Sequence, residues 1–244
     1  MIGKLSMGTA LAACLALSPF AGAQAQSAKP LKVTVSSIKP GGMIPEKFSF
    51  CQPAATGHVA PGKDISPRVT WTKGPKGTQS YAITLTDTDS PKTDRDKMNK
   101  EGMTVPKTAE RQTFYHWVMV DIPGNLSALK EGAASKERVV HGKQPMSSPD
   151  GKQGLNMFTV VFAANDALKG KYYGYDGPCP PWNDENVHHM HFTVYALSVK
   201  TLGLPADFDG AAAIEAMKGK VLAEGKLDTI YTTNPATGAV VPKQ

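Results

Sequence analysis

The sequence predicts a mostly β protein, an antiparallel-sheet domain with one or two peripheral helices. Three observations carry that class. Alternating segments such as Tyr81-Ala82-Ile83-Thr84-Leu85 recur along the chain, while a helical stripe shows only near the C-terminus. Glycine (23) and proline (19) punctuate these segments, as many short connections require. A composition of 41% hydrophobic and 20% charged residues suffices for one core and argues against disorder.

The first 25 residues read as a secretory signal peptide. Lys4 precedes an uncharged apolar run from Leu5 to Leu17, Pro19 breaks it, and Ala21-Gly22-Ala23 or Ala23-Gln24-Ala25 offers a small-x-small cleavage site. The run is too short to span a bilayer as a helix. Leu11-Ala12-Ala13-Cys14 offers a competing lipobox, which would leave Cys14 lipidated. Cleavage at the alanine sites fits Pro19 better, so export, to a bacterial periplasm, is the expectation. Residues 26–244 then form a single domain, with 26 basic and 21 acidic residues. That mild positive balance suits small anions. It lacks the basic stripe of a nucleic-acid binder, and no further stretch reads as transmembrane.

The elements follow in order. Leu31 to Val35 alternates and reads as a first strand, and Ile44 to Phe50 as an extended piece. Residues 51–64 are rich in Gly, Pro and Ala and read as a loop, before a short strand at Arg68 to Trp71. The strand Tyr81 to Leu85 puts Tyr81, Ile83 and Leu85 on one face and runs into Thr86-Asp87-Thr88-Asp89-Ser90-Pro91. Two acids at a strand end repel, so they are either self-capping turn residues or part of a site. The charged segment 92–112 lacks helical periodicity and reads as a solvated loop. Residues 113–122 are strongly β-forming, 128–154 read as a long loop, and the apolar run 157–163 is ambiguous between strand and helix. Phe192 to Val199 is a clear strand. Asp209 caps a helix whose stripe is Ile214, Met217, Val221 and Leu222, with Gly225 ending it and a last strand at Leu227 to Tyr231.

Chemistry-bearing residues concentrate around Asp87 and Asp89. His116 lies in the strand from Thr113, and His188, His189 and His191 open the strand through Phe192. By alternation His188 and Met190 face one side, His189 and His191 the other. Asp87, Asp89, His116 and His188 could hold a divalent metal as in a hydrolase, or imidazole N–H groups could bind a phosphate. No Gly-x-Ser-x-Gly elbow, His-Glu-x-x-His or phosphate loop occurs. Cys179 beside His188 is a conceivable nucleophile, but its flanking prolines and an oxidising compartment favour a structural role. With Cys14 removed, Cys51 and Cys179 either form one disulfide or remain two buried thiols.

The ordered set resembles the phosphatidylethanolamine-binding protein family, in its bacterial Raf kinase inhibitor-like branch. Asp87-Thr88-Asp89-Ser90-Pro91 is similar to that family's Asp-Pro-Asp-x-Pro motif. Tyr115-His116-Trp117-Val118-Met119-Val120 resembles its His-Trp-Val-Val strand, and Gly174 to Pro181 followed by His188 resembles its second conserved box. Ile65-Ser66-Pro67 to Trp71 fits the bacterial branch, and the likeness runs from about residue 36 to 231. It implies a large central antiparallel sheet flanked by a smaller one, with helix at the C-terminal end. It also implies a surface pocket for a small anionic or phosphorylated ligand, with no cofactor, no metal and no catalysis. Asp87, Asp89 and Pro91 would frame that pocket, with a cis Ser90–Pro91 bond. His116 and His188 would be its donors, and Gly177, Pro178 and Cys179 its rim. Thr88, His189 and Met190 depart from the family pattern. The acids are expected to orient the imidazoles, turning their other nitrogens to the ligand. A protein partner, inhibited or modulated, is a further implication. The metal-dependent hydrolase, and an interaction module using segment 92–112 beside a vestigial pocket, stand as alternatives.

Overall fold

A computed structural model describes residues 1–3, 29–145 and 150–243. The signal-peptide and Cys14 readings fall largely on residues 4–28, outside the described residues. The centre of the fold is a five-stranded antiparallel sheet in the order β10-β9-β5-β6-β8. Its strands are β5 (Ser80–Pro91), β6 (Arg111–Pro123), β8 (Lys152–Gln153), β9 (His188–Leu197) and β10 (Val221–Tyr231). A smaller three-stranded sheet, β1-β4-β7, is built from β1 (Val33–Val35), β4 (Val69–Trp71) and β7 (Ala128–Leu129). The strands β2 (Cys51–Pro53) and β3 (Val59–Pro61) form a hairpin inside the stretch read as a loop.

Alternation decides the packing. Tyr81, Ile83 and Leu85 of β5 share a face with Trp117 and Met119 of β6 and Met190, Phe192 and Val194 of β9. That face closes on Val33, Val35, Val69 and Trp71 of the small sheet, the main core. The opposite face offers Ala82, Val118, Val120 and Leu197 to Phe208 and to Ala213 and Met217 of helix α2 (Gly210–Met217). A third cluster, Phe50, Phe114, Phe158 and Tyr172, fills the sheet's end beside the one-turn helix α1 (Phe158–Val161). This resolves the ambiguous run 157–163 as helical.

Three local readings are corrected. Helix α2 is capped as expected, Asp209 Oδ1 accepting from the Ala212 amide at 2.8 Å, but it stops at Met217. Val221, Leu222 and Gly225 belong to β10, whose inward residues are Ala223, Gly225, Leu227, Thr229 and Tyr231. A Cβ on Gly225 would lie 2.0 Å from the Leu31 carbonyl oxygen, so a bare backbone is needed there. Segment 92–112 is not simply solvated, since Val105 is fully buried. The Asn183 side chain accepts from the Asn99 amide at 2.9 Å and donates to the carbonyls of Lys97, Lys100 and Met103. Finally, the Ser90–Pro91 bond is trans, and no cis bond occurs among the described residues.

Candidate functional site

Two irregularities in the central sheet build the site. Between the Leu85–Trp117 and Thr86–Tyr115 pairs, β6 holds one extra residue, His116. Between Asp87–Phe114 and Ser90–Gln112, β5 holds one extra residue. Bulges of this kind re-aim side chains. Here they bring Asp87, Pro91, Phe114 and His116 together along one small pocket. His188 of β9, Phe158 and Val161 of α1, and Ser90, Cys179, Pro180 and Pro181 also line it. Arg95 and Met98 of segment 92–112 complete the lining. The pocket measures about 50 Å³, and one water needs roughly 10–15 Å³ on this measure. That leaves room for a group the size of a small oxyanion.

His188 is gripped on both sides. Its Nδ1 lies 2.7 Å from Asp87 Oδ2 and its Nε2 3.2 Å from Asp184 Oδ2. Arg111 forks onto Asp184, with Nη1 2.5 Å from Oδ2 and Nη2 3.1 Å from Oδ1. The same guanidinium donates to the carbonyls of Asp89 and Pro106, tying segment 92–112 to the β5 bulge. The result is a buried chain of alternating charge, Asp87–His188–Asp184–Arg111. Burial opposes charge on His188, but the Asp87 and Asp184 carboxylates outweigh it and raise its pKa to about 9. Burial also opposes charge on Asp184, and is outweighed by hydrogen bonds from His188, Arg111 and the Asn186 amide, which hold its carboxyl below the usual range.

That arrangement carries a pH dependence. His188 is charged in the fold up to about pH 9, whereas an unfolded histidine titrates near 6.5. A raised folded pKa stabilises fully below the unfolded value and is lost as pH rises through the folded one, roughly 3 kcal/mol across this window. The unfolding temperature is therefore expected to fall between pH 6.5 and 9.5. His188→Gln should flatten that slope in the same thermal scans, and an unchanged slope would remove His188 as its source.

His116 is held differently. Its Nδ1 lies 3.0 Å from the Asp176 carbonyl oxygen, and the Asp176 amide donates back to the His116 carbonyl at 3.0 Å. Burial lowers its pKa, outweighing the nearby Asp87 carboxylate. Asp176 is itself buried, paired with Lys143 at 2.9 Å and with Asn156 at 2.6 Å. Behind it Asp64 accepts from the Gly177 amide at 2.6 Å, and burial, with the Asp176 charge, pushes its carboxyl well up.

The expected site residues therefore separate. Asp87, Pro91, His116, Cys179 and His188 line the pocket. Asp89 does not; it accepts from the His189 amide at 2.8 Å and from His189 Nδ1 at 2.9 Å, facing an adjacent open cleft. Gly177 and Pro178 stand one layer back. A Cβ on Gly177 would lie 1.9 Å from the Phe48 carbonyl oxygen, and the Pro178 carbonyl accepts from the Phe50 amide at 3.2 Å. Cys179 is joined to Cys51 in a disulfide with a Cα–Cα separation of 5.0 Å. The expectation that acids orient both imidazoles is corrected. His188 has no nitrogen left for a ligand, and His116 is oriented by a carbonyl. Among the described residues, no group of three or more His, Cys, Asp or Glu is placed to hold a metal ion. Asp184, Arg111 and Arg95 were missed from sequence. Asp184, four residues before His188, is the one that spacing could have suggested.

A sequence model of the family described as phosphatidylethanolamine-binding protein matches residues 34–232. This chain belongs to that family. A UPF0098 protein of Aquifex aeolicus (strain VF5) is 32% identical over 205 residues, 82% of this chain and 96% of that protein. YbcL of Escherichia coli (strain K12) is 24% identical over 204 residues, 84% of this chain and 88% of that protein. The crystal structure of E. coli YbcL, described as a new member of the mammalian PEBP family, superposes with a TM-score of 0.59 at 24% identity, covering 84% of this chain and 99% of that one. CT736 of Chlamydia trachomatis, a PEBP homologue by its description, gives a TM-score of 0.55 at 24% identity, covering 83% and 97%. These two likenesses speak for the fold. The large antiparallel sheet flanked by a smaller one, with a helix in the C-terminal part, is thus the family fold. Among the described residues, no helix is long and apolar enough to cross a membrane.

Proposed function

We propose that this member of the phosphatidylethanolamine-binding protein family is an exported binding protein for a small phosphorylated or otherwise anionic ligand, acting without catalysis and serving to modulate a partner. The observation that carries the reading is the pocket of about 50 Å³ that Asp87, His116, His188 and Arg95 line together. It is walled by apolar side chains and has one uncommitted imidazole nitrogen, Nε2 of His116. Such concave, mostly apolar sites with a few convergent polar groups are the usual form of small-molecule pockets. The disulfide removes Cys179 as a nucleophile, and His188 is locked between two carboxylates, which supports binding over hydrolysis. Export rests on the Lys4-to-Ala25 pattern, and an oxidising compartment agrees with the Cys51–Cys179 bond.

Native mass spectrometry of the protein purified from its own cell envelope tests this reading. The expected species is a chain beginning after Ala23 or Ala25 and carrying a small phosphorylated adduct. A chain retaining residues 1–25, or stoichiometric metal in place of the adduct, would contradict it.

A further inference from the structure

The ring of His116 decides which anions the pocket can take. A carbonyl oxygen only accepts, so the 3.0 Å contact with Asp176 O places the proton on Nδ1. In a neutral imidazole, Nε2 is then a lone pair. The surroundings favour the neutral ring. His116 is 3% exposed, with the Phe114 and Phe158 rings 4.5 and 5.5 Å away. The charged groups facing it are Asp87 from β5, Asp176 from the 172–184 loop, His188 from β9 and Arg95 from segment 92–112; α1 offers only Phe158 and Val161. The two carboxylates favour a charged ring, while burial and the His188 cation oppose it and prevail.

Of the other polar groups beside it, Ser90 has a hydroxyl that can donate or accept, and the rest accept or are already committed. Asp87 is a carboxylate, both nitrogens of His188 are committed, and Pro91, Pro180 and Pro181 have no N–H. Arg95, which is exposed, is alone among the lining side chains a cationic donor with no acceptor among the described residues. An oxyanion with acceptors only would set its lone pairs against His116 Nε2 and leave that nitrogen unpaired, whereas Asp87 already accepts from the Asp89 amide and from His188 Nδ1.

We propose that the pocket selects oxyanions that carry an O–H, inorganic phosphate or a phosphomonoester monoanion, and rejects sulfate and phosphodiesters. The O–H donates to His116 Nε2 or to Asp87, and Arg95 supplies the countercharge. This deepens the reading above and rests on it.

The test is a calorimetric panel on the full mature protein, with inorganic phosphate, sulfate, methyl phosphate and dimethyl phosphate between pH 5.5 and 8. One unpaired buried group corresponds to roughly a ten- to hundredfold loss of affinity. At pH 7.5 phosphate is expected to bind about ten- to hundredfold tighter than sulfate, with no heat from dimethyl phosphate. Methyl phosphate should weaken about tenfold per pH unit above its second pKa near 6. His116→Gln, whose amide can donate, should bring sulfate within about threefold of phosphate, with thermal unfolding checking its fold. Independently, ¹⁵N shifts of His116 at pH 7.5 should report a protonated Nδ1 and a lone pair on Nε2. Equal affinity for sulfate and phosphate, or a proton on Nε2 in the free protein, would overturn the selectivity and leave the binding function standing. Absence of heat from every oxyanion at every pH would overturn both.

Discussion

Asp184→Ala is expected to destabilise the protein by about 3–5 kcal/mol, the usual cost of removing one partner from a buried ion pair. The substitution leaves Arg111 and the cation of His188 facing one another with their shared carboxylate gone. It also releases the Arg111 fork that ties Pro106 and the Asp89 carbonyl together. At about 2–4 °C per kcal/mol for a domain of this size, the unfolding temperature should drop by roughly 10 °C. Segment 92–112 should become sensitive to limited proteolysis, and the raised pKa of His188 should fall. Urea unfolding with a loss under about 1 kcal/mol, together with unchanged proteolysis, would show that the charge chain does not hold the pocket wall.

Removal of the disulfide, as Cys51→Ser with Cys179→Ser, ranks second. The bond closes a stretch with a sequence separation of 128. Loop-entropy arguments give a ceiling of about 5 kcal/mol for a loop that long, and measured losses run about 2–5 kcal/mol. Because Cys179 lines the pocket and Cys51 opens β2, the loop 177–181 should also lose its fixed position. Urea midpoints under oxidising conditions are expected to fall well below those of the unmodified protein and to match it when reduced. Coincident midpoints under oxidising conditions would show that the bond contributes nothing.

Much of the fold was legible because alternation and burial coincide. Tyr81, Ile83 and Leu85 read inward from sequence and lie in the main core. The alternation of β9 likewise separated buried His188 from exposed His189. Where the pattern failed, a physical reason is visible. In β10 the inward positions include Gly225 and Thr229, so period two was masked, and Val221 and Leu222 completed a helical stripe that Gly219, at φ 71°, interrupts. Segment 92–112 looked solvated because its anchors are the Asn183 side chain, the Arg111 fork and the scattered Val105 and Ala109, not an apolar face.

The site was legible in its residues but not in its wiring. Asp87, His116 and His188 stood out by type and order. The partner of His188 that changes its role is Asp184, held in turn by Arg111 across 73 positions of sequence. Nothing in spacing links those two. His116 sits in a bulge, so alternation could not assign its face, and its orienting group is a main-chain carbonyl that side-chain chemistry does not reveal. Asp89 and Asp87 look equivalent as a pair, yet the bulge between them sends one to the pocket and the other to His189.

The Asp87–His116 pocket is proposed to bind a small phosphorylated anion. Its test is calorimetric titration of the unmodified protein and of His116→Ala with inorganic phosphate at pH 7. One site per chain is expected in the unmodified protein, with at least a tenfold weaker affinity in His116→Ala, as loss of a buried hydrogen-bond partner entails. Equal affinity in the two proteins would contradict the claim, as would no binding in either.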